Sequence, residues 1–147
     1  MTVDDDDTRL VPHIRSVVLD TTDARGLAEF YRRLFGLRYR EGDEPPEPGS
    51  PDPAGADWLV LRGPDGVALA FQQVAALAPA TWPEGPVPQQ LHLDTTVATP
   101  DELERQRARA EALGARVLLD RTDDPDEALY VLADPSGHPF CIFVDTD

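Results

Sequence analysis

The pattern of apolar and polar positions predicts a strand followed by a helix near the start of the chain. Segment 14–20 (IRSVVLD) is apolar and rich in β-branched residues, which favours a strand. Asp23 can cap a helix after it, and Gly36 can end that helix. Four apolar residues between the two recur at i, i+3, i+4 and i+7, so they share one helix face. They are Leu27, Phe30, Tyr31 and Leu34.

The second half of the chain repeats this plan. Segment 91–97 (LHLDTTV) predicts a strand. Thr99 can cap the next helix, since Pro100 suits the first helical position and Glu102 lies three residues after the cap. Gly114 is the predicted stop. The two halves are therefore related by an internal duplication.

Each half also ends in a predicted hairpin. The turns are GPDG at 63–66 and DPSG at 134–137, in which proline presets φ and glycine accepts a positive φ. A short strand is predicted between each helix and its hairpin, at 37–40 and 116–119. Each half thus has the order β-α-β-β-β, and the fold class is α+β. The hairpin strands are expected at 58–61, 67–74, 129–132 and 140–144.

Proline marks the loops. Nine of the 15 prolines lie in two segments without a hydrophobic period, 41–57 and 75–90, and proline neither continues a helix nor donates to a strand ladder. The four aspartates near the start predict a disordered acidic tail. The expected organisation is a tail at 1–12 and a single domain at 13–147, with modules at 13–74 and 89–145 joined by a linker at 75–88.

Charge and composition narrow the function classes. The net charge is -15, which disfavours binding to nucleic acid or to anionic membranes, because both need clustered lysine and arginine. No apolar run reaches the roughly 18 residues of a membrane span. The first residues lack the features of a signal peptide, and the single cysteine, Cys141, cannot form an internal disulfide. A cytoplasmic protein with a small-molecule partner is expected.

Several segments resemble the vicinal-oxygen-chelate superfamily, and within it the glyoxalase-like and bleomycin-resistance-like domains. The resemblance spans about 13–145 and implies a mixed, cupped sheet with helices outside. It also implies four metal-ligand positions, two from each half. The matching segments are LDTTDARGLAEFYRRLFGLRY (19–39), HLDTTV (92–97), ALGARV (112–117) and LADPSGHPFCIF (132–143).

Only one of the four implied ligand positions carries a usual ligand. Counting as the family does from the helix cap and the hairpin glycines places the four positions at Ser16, Ala70, His92 and Cys141, and His92 alone matches. Gln72 lies on the same strand face as Ala70, two residues later. No metal cofactor is therefore expected. His92 and Cys141 suit zinc, but two ligands rarely suffice without a third.

The alignment of the halves has two possible registers. The repeated LDTT sequence gives an offset of 74, which pairs Val18 with His92, whereas the ligand positions give 76, which pairs Ser16 with His92. Both offsets are even, so the strand faces are the same in either case. Asp20 and Asp94 fall on the ligand-bearing faces and are the candidates for a further ligand.

Three functions follow from these observations. The first is a metal-independent, bleomycin-resistance-like protein that sequesters a cationic metabolite or antibiotic. The second is a lyase, isomerase or dioxygenase with His92 as its catalytic base or single metal ligand. The third is association, since the resemblance implies a homodimer. His138 is interpreted as a surface or strand-start residue. The predicted ligand-binding residues are Ser16, Asp20, Ala70, Gln72, His92, Asp94, Cys141 and, in the linker, Trp82.

Overall fold

Two modules of the same element order make up the chain. The computed structural model describes residues 11–145, so the tail predicted at 1–12 lies almost wholly outside the described residues. The α+β class and the duplicated β-α-β-β-β order are confirmed. The first module contains β1 (Val17–Thr21), α1 (Ala24–Phe35), β2 (Arg38–Tyr39), β3 (Trp58–Arg62) and β4 (Ala68–Gln73). The second contains β5 (Leu93–Val97), α2 (Pro100–Leu113), β6 (Arg116–Arg121), β7 (Leu129–Ala133) and β8 (Pro139–Val144).

Each module forms a four-stranded mixed sheet. The strand orders are β1-β4-β3-β2 and β5-β8-β7-β6. In both sheets the first strand pairs in parallel with the last, and the remaining pairs are antiparallel. The first strand of each module thus forms one sheet edge. Both predicted first strands begin too early, because Ser16 and His92 each precede the first strand residue by one position.

Helix boundaries follow the capping residues. The Asp23 carboxylate accepts a hydrogen bond from the Gly26 amide, and the Thr99 hydroxyl accepts one from the Glu102 amide. These bonds satisfy amides that have no partner within the first helical turn. Gly36, at φ 66°, ends α1 in the left-handed conformation that glycine adopts without steric cost. The predicted starts and stops of both helices are therefore correct.

Strand pairing settles the register between the modules. Val18 lies opposite Ala70 in the first sheet, and Asp94 lies opposite Cys141 in the second. Ala70 and Cys141 each follow their hairpin glycine by four residues, so Val18 and Asp94 are equivalent positions. The offset is 76, which makes Ser16, rather than Val18, the counterpart of His92.

One apolar core joins the modules. It takes side chains from both helices and from the faces of both sheets that meet them. Phe140 of β8 packs edge-on against three rings of α1, with centroid distances of 6.0 Å to Phe30, 6.2 Å to Tyr31 and 6.3 Å to Phe35. The second sheet is therefore anchored on the helix of the first module.

Polar contacts reinforce this junction. The buried Tyr31 hydroxyl donates a 2.7 Å hydrogen bond to the carboxylate of Asp134, which is 4% exposed. The same carboxylate accepts bonds from the amides of Ser136 and His138, so it shapes the second hairpin turn. Burial raises the pKa of Asp134 above its usual value, against the lowering effect of these donors. The turn is thereby held against the first module.

Among residues 11–145, no helix is both long enough and apolar enough to cross a membrane.

Candidate functional site

The open face of the second sheet brings three of the predicted residues together. His92 and Asp94 lie two positions apart on one face, and strand pairing places Cys141 beside Asp94. The His92 Nε2 atom is 3.2 Å from the Asp94 Oδ1 atom. One ligand atom from each of the three lies within 4.8 Å of the others. We refer to His92, Asp94 and Cys141 as the open-face trio.

The thiol of the trio is protonated at neutral pH. Burial raises the pKa of Cys141 to about 12, and the charge and hydrogen bond of Asp94 act in the same direction. A protonated thiol is a poor nucleophile and a poor metal ligand, because both roles need the thiolate. In this state Cys141 is a small buried side chain beneath two exposed polar ones, His92 and Asp94.

The donor set of the trio has the chemistry of a partial zinc site. Imidazole nitrogen, carboxylate oxygen and thiolate sulfur are all zinc ligands, but all three donors come from one sheet. The two implied ligand positions of the first module add little to this donor set. Ala70 has no metal-binding atom in its side chain and is fully buried. Ser16 is half-buried and carries only a hydroxyl. The residues at these positions can supply three metal ligands, whereas the resemblance implies a set of four.

An acidic cleft continues from the trio along the open face. Its volume is about 410 Å³, and Asp94, Asp126 and Glu127 line it together with Thr96 and Phe143. Within residues 11–145, no lysine or arginine contributes to its lining. Because several negatively charged carboxylates lie close together on this surface, the local electrostatic potential is negative. It therefore favours the binding of a cation.

The linker crosses the second sheet at Trp82. The indole packs against a buried cluster of Leu129, Val131 and Cys141. Three hydrogen bonds between Thr81 and Val87 hold this part of the linker in place. The Thr81 amide and hydroxyl donate to the Val87 carbonyl at 2.7 Å and 3.1 Å, and the Val87 amide donates to the Thr81 hydroxyl at 2.9 Å. Trp82 thus covers part of the face that carries the trio.

The other predicted residues lie elsewhere. Asp20 and Gln72 line a separate cavity of about 300 Å³ between the linker, β1 and the second hairpin turn. We call it the junction cavity. Ser16 and Ala70 line neither this cavity nor the acidic cleft. Five of the predicted residues therefore form two groups, with His92, Asp94 and Cys141 on the open face and Asp20 and Gln72 in the junction cavity, whereas Ser16 and Ala70 belong to neither.

The sequence does not identify most of the residues that line the junction cavity, His138 and Gln89 among them. His138, which the sequence indicates is a surface or strand-start residue, directly precedes β8, and the Nε2 atom of its half-buried side chain donates a 2.7 Å hydrogen bond to the Asp20 carbonyl. Gln89 directly follows the linker, and its Oε1 atom is buried without a hydrogen-bond partner among residues 11–145. Gln89 belongs to no motif. His138 lies in the matching segment 132–143, but its hydrogen bond to Asp20 joins residues 118 positions apart, which no local pattern predicts.

The sequence matches the family described as Glyoxalase-like domain over residues 16–143, so the chain belongs to the glyoxalase-like family of the vicinal-oxygen-chelate superfamily. No curated protein matches it.

Solved structures share its fold at low sequence identity. A glyoxalase/dioxygenase from Nostoc punctiforme is 20% identical with a TM-score of 0.67, and the match covers 100% of this chain and 98% of that one. A glyoxalase/bleomycin resistance protein/dioxygenase family enzyme from Burkholderia phytofirmans PsJN is 18% identical with a TM-score of 0.63, covering 88% and 96%.

A fosfomycin resistance protein from Listeria monocytogenes is a further structural neighbour. A variant of it, solved with Mn(II) and 1S,2S-dihydroxypropylphosphonic acid, is 15% identical with a TM-score of 0.66. The match covers 93% of this chain and 95% of that one. At such identities these likenesses establish the fold and leave the ligand open.

Proposed function

We propose that this glyoxalase-like protein binds a small cationic organic molecule on the open face of its second sheet, without a metal. The acidic cleft beside Asp94 is the observation that carries this proposal. The side chain of Asp94 is 57% exposed, so its carboxylate is accessible to a ligand from solvent. Sequestration of a cationic metabolite or antibiotic is the corresponding biological role.

The first module explains why the binding is proposed to be metal-independent. Its two implied ligand positions are a hydroxyl, Ser16, and a methyl group, Ala70. Hydroxyl and methyl groups do not replace the carboxylate and imidazole that hold divalent ions in proteins. The ligand is therefore proposed to be recognised by direct charge and hydrogen-bond contacts.

Asp94→Asn is expected to weaken the binding of a cationic ligand by about tenfold, because it removes one charge from the cleft while keeping the side-chain shape. Titration calorimetry against a panel of cationic glycopeptides and polyamines measures this change. Affinity for the unaltered protein should also fall as the salt concentration rises.

Asp101→Asn is the matched control, since it makes the same charge change on the exposed first turn of α2. It should leave the affinity nearly unchanged. Equal losses in both variants would point to the overall charge of the protein, and no binding across the panel would contradict the proposal.

A second candidate function rests on the open-face trio. Three donors within 4.8 Å of one another suit a divalent ion, and that ion would supply Lewis-acid chemistry to a bound substrate. His92 would act as a ligand or hold a proton at Nε2, as in a lyase, isomerase or dioxygenase. Metal binding would require deprotonation of Cys141. The metal content of the purified protein distinguishes the two candidate functions.

A homodimer and a cytoplasmic setting remain proposals. The first comes from the resemblance to a superfamily whose members commonly pair, and the second from the single cysteine, Cys141.

A further inference from the structure

The first hairpin turn carries the one aspartate of the sequence that a glycine follows, Asp65 before Gly66. The nitrogen of a backbone amide can attack the carboxyl group of an aspartate directly before it. Glycine hinders this attack least, because it has no side chain and its backbone is the most adaptable. The sequence contains no asparagine, so isoaspartate in this protein can arise only from an aspartate.

The turn leaves this pair open to solvent. Asp65 and Gly66 are both exposed, and a Cβ atom on Gly66 would have no neighbouring atom within 4 Å. Two hydrogen bonds close the turn: the Gly63 amide donates to the Val67 carbonyl at 2.9 Å, and the Gly66 amide donates to the Gly63 carbonyl at 3.3 Å. The second bond is longer than usual, so the Gly66 amide is weakly held.

The Asp65 carboxylate is also unengaged. It has no hydrogen-bond or ion-pair partner among residues 11–145. The aspartate of the second turn, Asp134, is buried and accepts three hydrogen bonds, and it precedes Pro135, whose nitrogen carries no hydrogen. Of the two hairpin turns, the first therefore combines an accessible carboxylate with an unhindered amide.

We propose that Asp65 is a modification site, at which isoaspartate forms spontaneously and becomes the substrate of a protein-repair methyltransferase. The Gly66 nitrogen attacks the Asp65 Cγ atom, and an N–Cγ bond forms. One carboxyl oxygen takes up the amide proton and a second proton from solvent, and it leaves as water. The product is a five-membered succinimide ring in the turn.

Water then opens the succinimide at either of its carbonyl groups. Breaking the N–Cγ bond restores aspartate, whereas breaking the bond to the main-chain carbonyl carbon leaves the chain linked through Cβ as isoaspartate. The backbone of the turn is then longer by one methylene group. Because the turn sets the pairing of Arg62 with Ala68, isoaspartate is expected to lower the melting temperature.

The repair step needs S-adenosylmethionine as its co-reactant. An L-isoaspartyl methyltransferase moves the methyl group from the sulfonium sulfur to the free α-carboxylate of isoaspartate, and S-adenosylhomocysteine is released. The Gly66 nitrogen then displaces methanol from the ester as the succinimide re-forms. Access of a second protein to this carboxylate requires an exposed turn, which the first hairpin provides.

Ageing of the full chain in water enriched in heavy oxygen tests the proposal. Each passage through the succinimide incorporates one heavy oxygen atom, and peptide mass spectrometry after digestion in ordinary water locates it. Asp65 is expected to gain this label at least about tenfold faster than any other aspartate in residues 11–145. The aged protein should also accept radioactive methyl groups from S-adenosylmethionine when a purified L-isoaspartyl methyltransferase is added.

Asp65→Glu keeps the charge but would have to close a six-membered ring, which forms far more slowly, so both signals should be lost. Asp101→Glu is the matched control, because Asp101 is an exposed aspartate on the first turn of α2 and Glu102 follows it. This variant should keep the label at Asp65 and the methyl acceptance of the unaltered protein.

Three results would overturn the proposal. The first is label spread evenly over the aspartates, and the second is methyl acceptance that Asp65→Glu retains. The third is labelling of Asp65 more than about tenfold slower in the folded chain than in the urea-unfolded chain, since the turn would then protect the site. None of these measurements involves ligand binding, so this proposal and that for the acidic cleft fail independently.

Discussion

Asp134→Ala is expected to lower the free energy of unfolding by about 3 kcal/mol. The substitution leaves three donors without their acceptor, namely the Tyr31 hydroxyl and the amides of Ser136 and His138. The loss is smaller than the sum of three charge-assisted bonds, because the variant no longer has to bury a carboxylate. Urea denaturation at neutral pH measures the change.

Asp65→Ala is the matched control for this prediction. Asp65 occupies the first hairpin turn, is exposed, and should change stability by no more than about 0.5 kcal/mol. In the first module Gly63 stands at the position equivalent to Asp134, so only the second turn has this contact. Similar losses in the two variants would show that the turn carboxylate does not hold the modules together.

The pH dependence of stability gives an independent test at Asp134. Its pKa is higher in the folded protein than in the unfolded chain, because burial disfavours the charged form. The folded state then binds the proton more tightly, so this group lowers stability as the pH rises from about 3.8 towards the folded pKa. Asp134→Asn should remove this contribution to the pH dependence. If the free energy of unfolding changed with pH in the same way in the variant, Asp134 would not be the group responsible.

Phe140→Ala is expected to lower the free energy of unfolding by about 4 kcal/mol. Phe140 is fully buried and packs against the rings of Phe30, Tyr31 and Phe35 across the module junction. Truncation removes these contacts and leaves a cavity in the shared core. Thermal and urea unfolding at one pH measure the change.

Phe143→Ala provides the comparison on the same strand. Phe143 is half-buried on the opposite face of β8, where it packs near Trp82 and Cys141, so its loss should be about half as large. If Phe143→Ala were the more destabilising variant, the core between the modules would not be the main source of stability.

Local signals predicted most of the fold. Asp23 and Thr99 cap their helices as side-chain chemistry requires, and Gly36 and Gly114 end them. Strand alternation, with its period of two, placed Asp94 on the same face as His92. These features depend on residues close together in sequence, and a single sequence contains that information.

The sequence did not predict that the candidate site residues lie in two separate places. Asp20 and Gln72 line the junction cavity, whereas His92, Asp94 and Cys141 lie on the open face. The path of the linker determines this division, and it depends on contacts over more than 50 residues, such as that between Pro79 and Gly137. No local pattern encodes such contacts.

The register between the modules was likewise open in the sequence. The LDTT repeat favoured an offset of 74, and both offsets kept the same faces. Only the pairing of Val18 with Ala70 and of Asp94 with Cys141 distinguishes them. A short sequence repeat can therefore shift by two residues relative to the structural repeat without changing the strand faces.

One experiment tests whether the protein binds its cationic ligand without a metal. The protein is purified without chelators, its metal content is measured by mass spectrometry, and the cationic ligand is titrated before and after treatment with a chelator. We expect less than about a tenth of an equivalent of any divalent metal and the same affinity in both titrations. A stoichiometric ion that is lost in His92→Gln and Cys141→Ser, together with binding abolished by the chelator, would contradict this expectation.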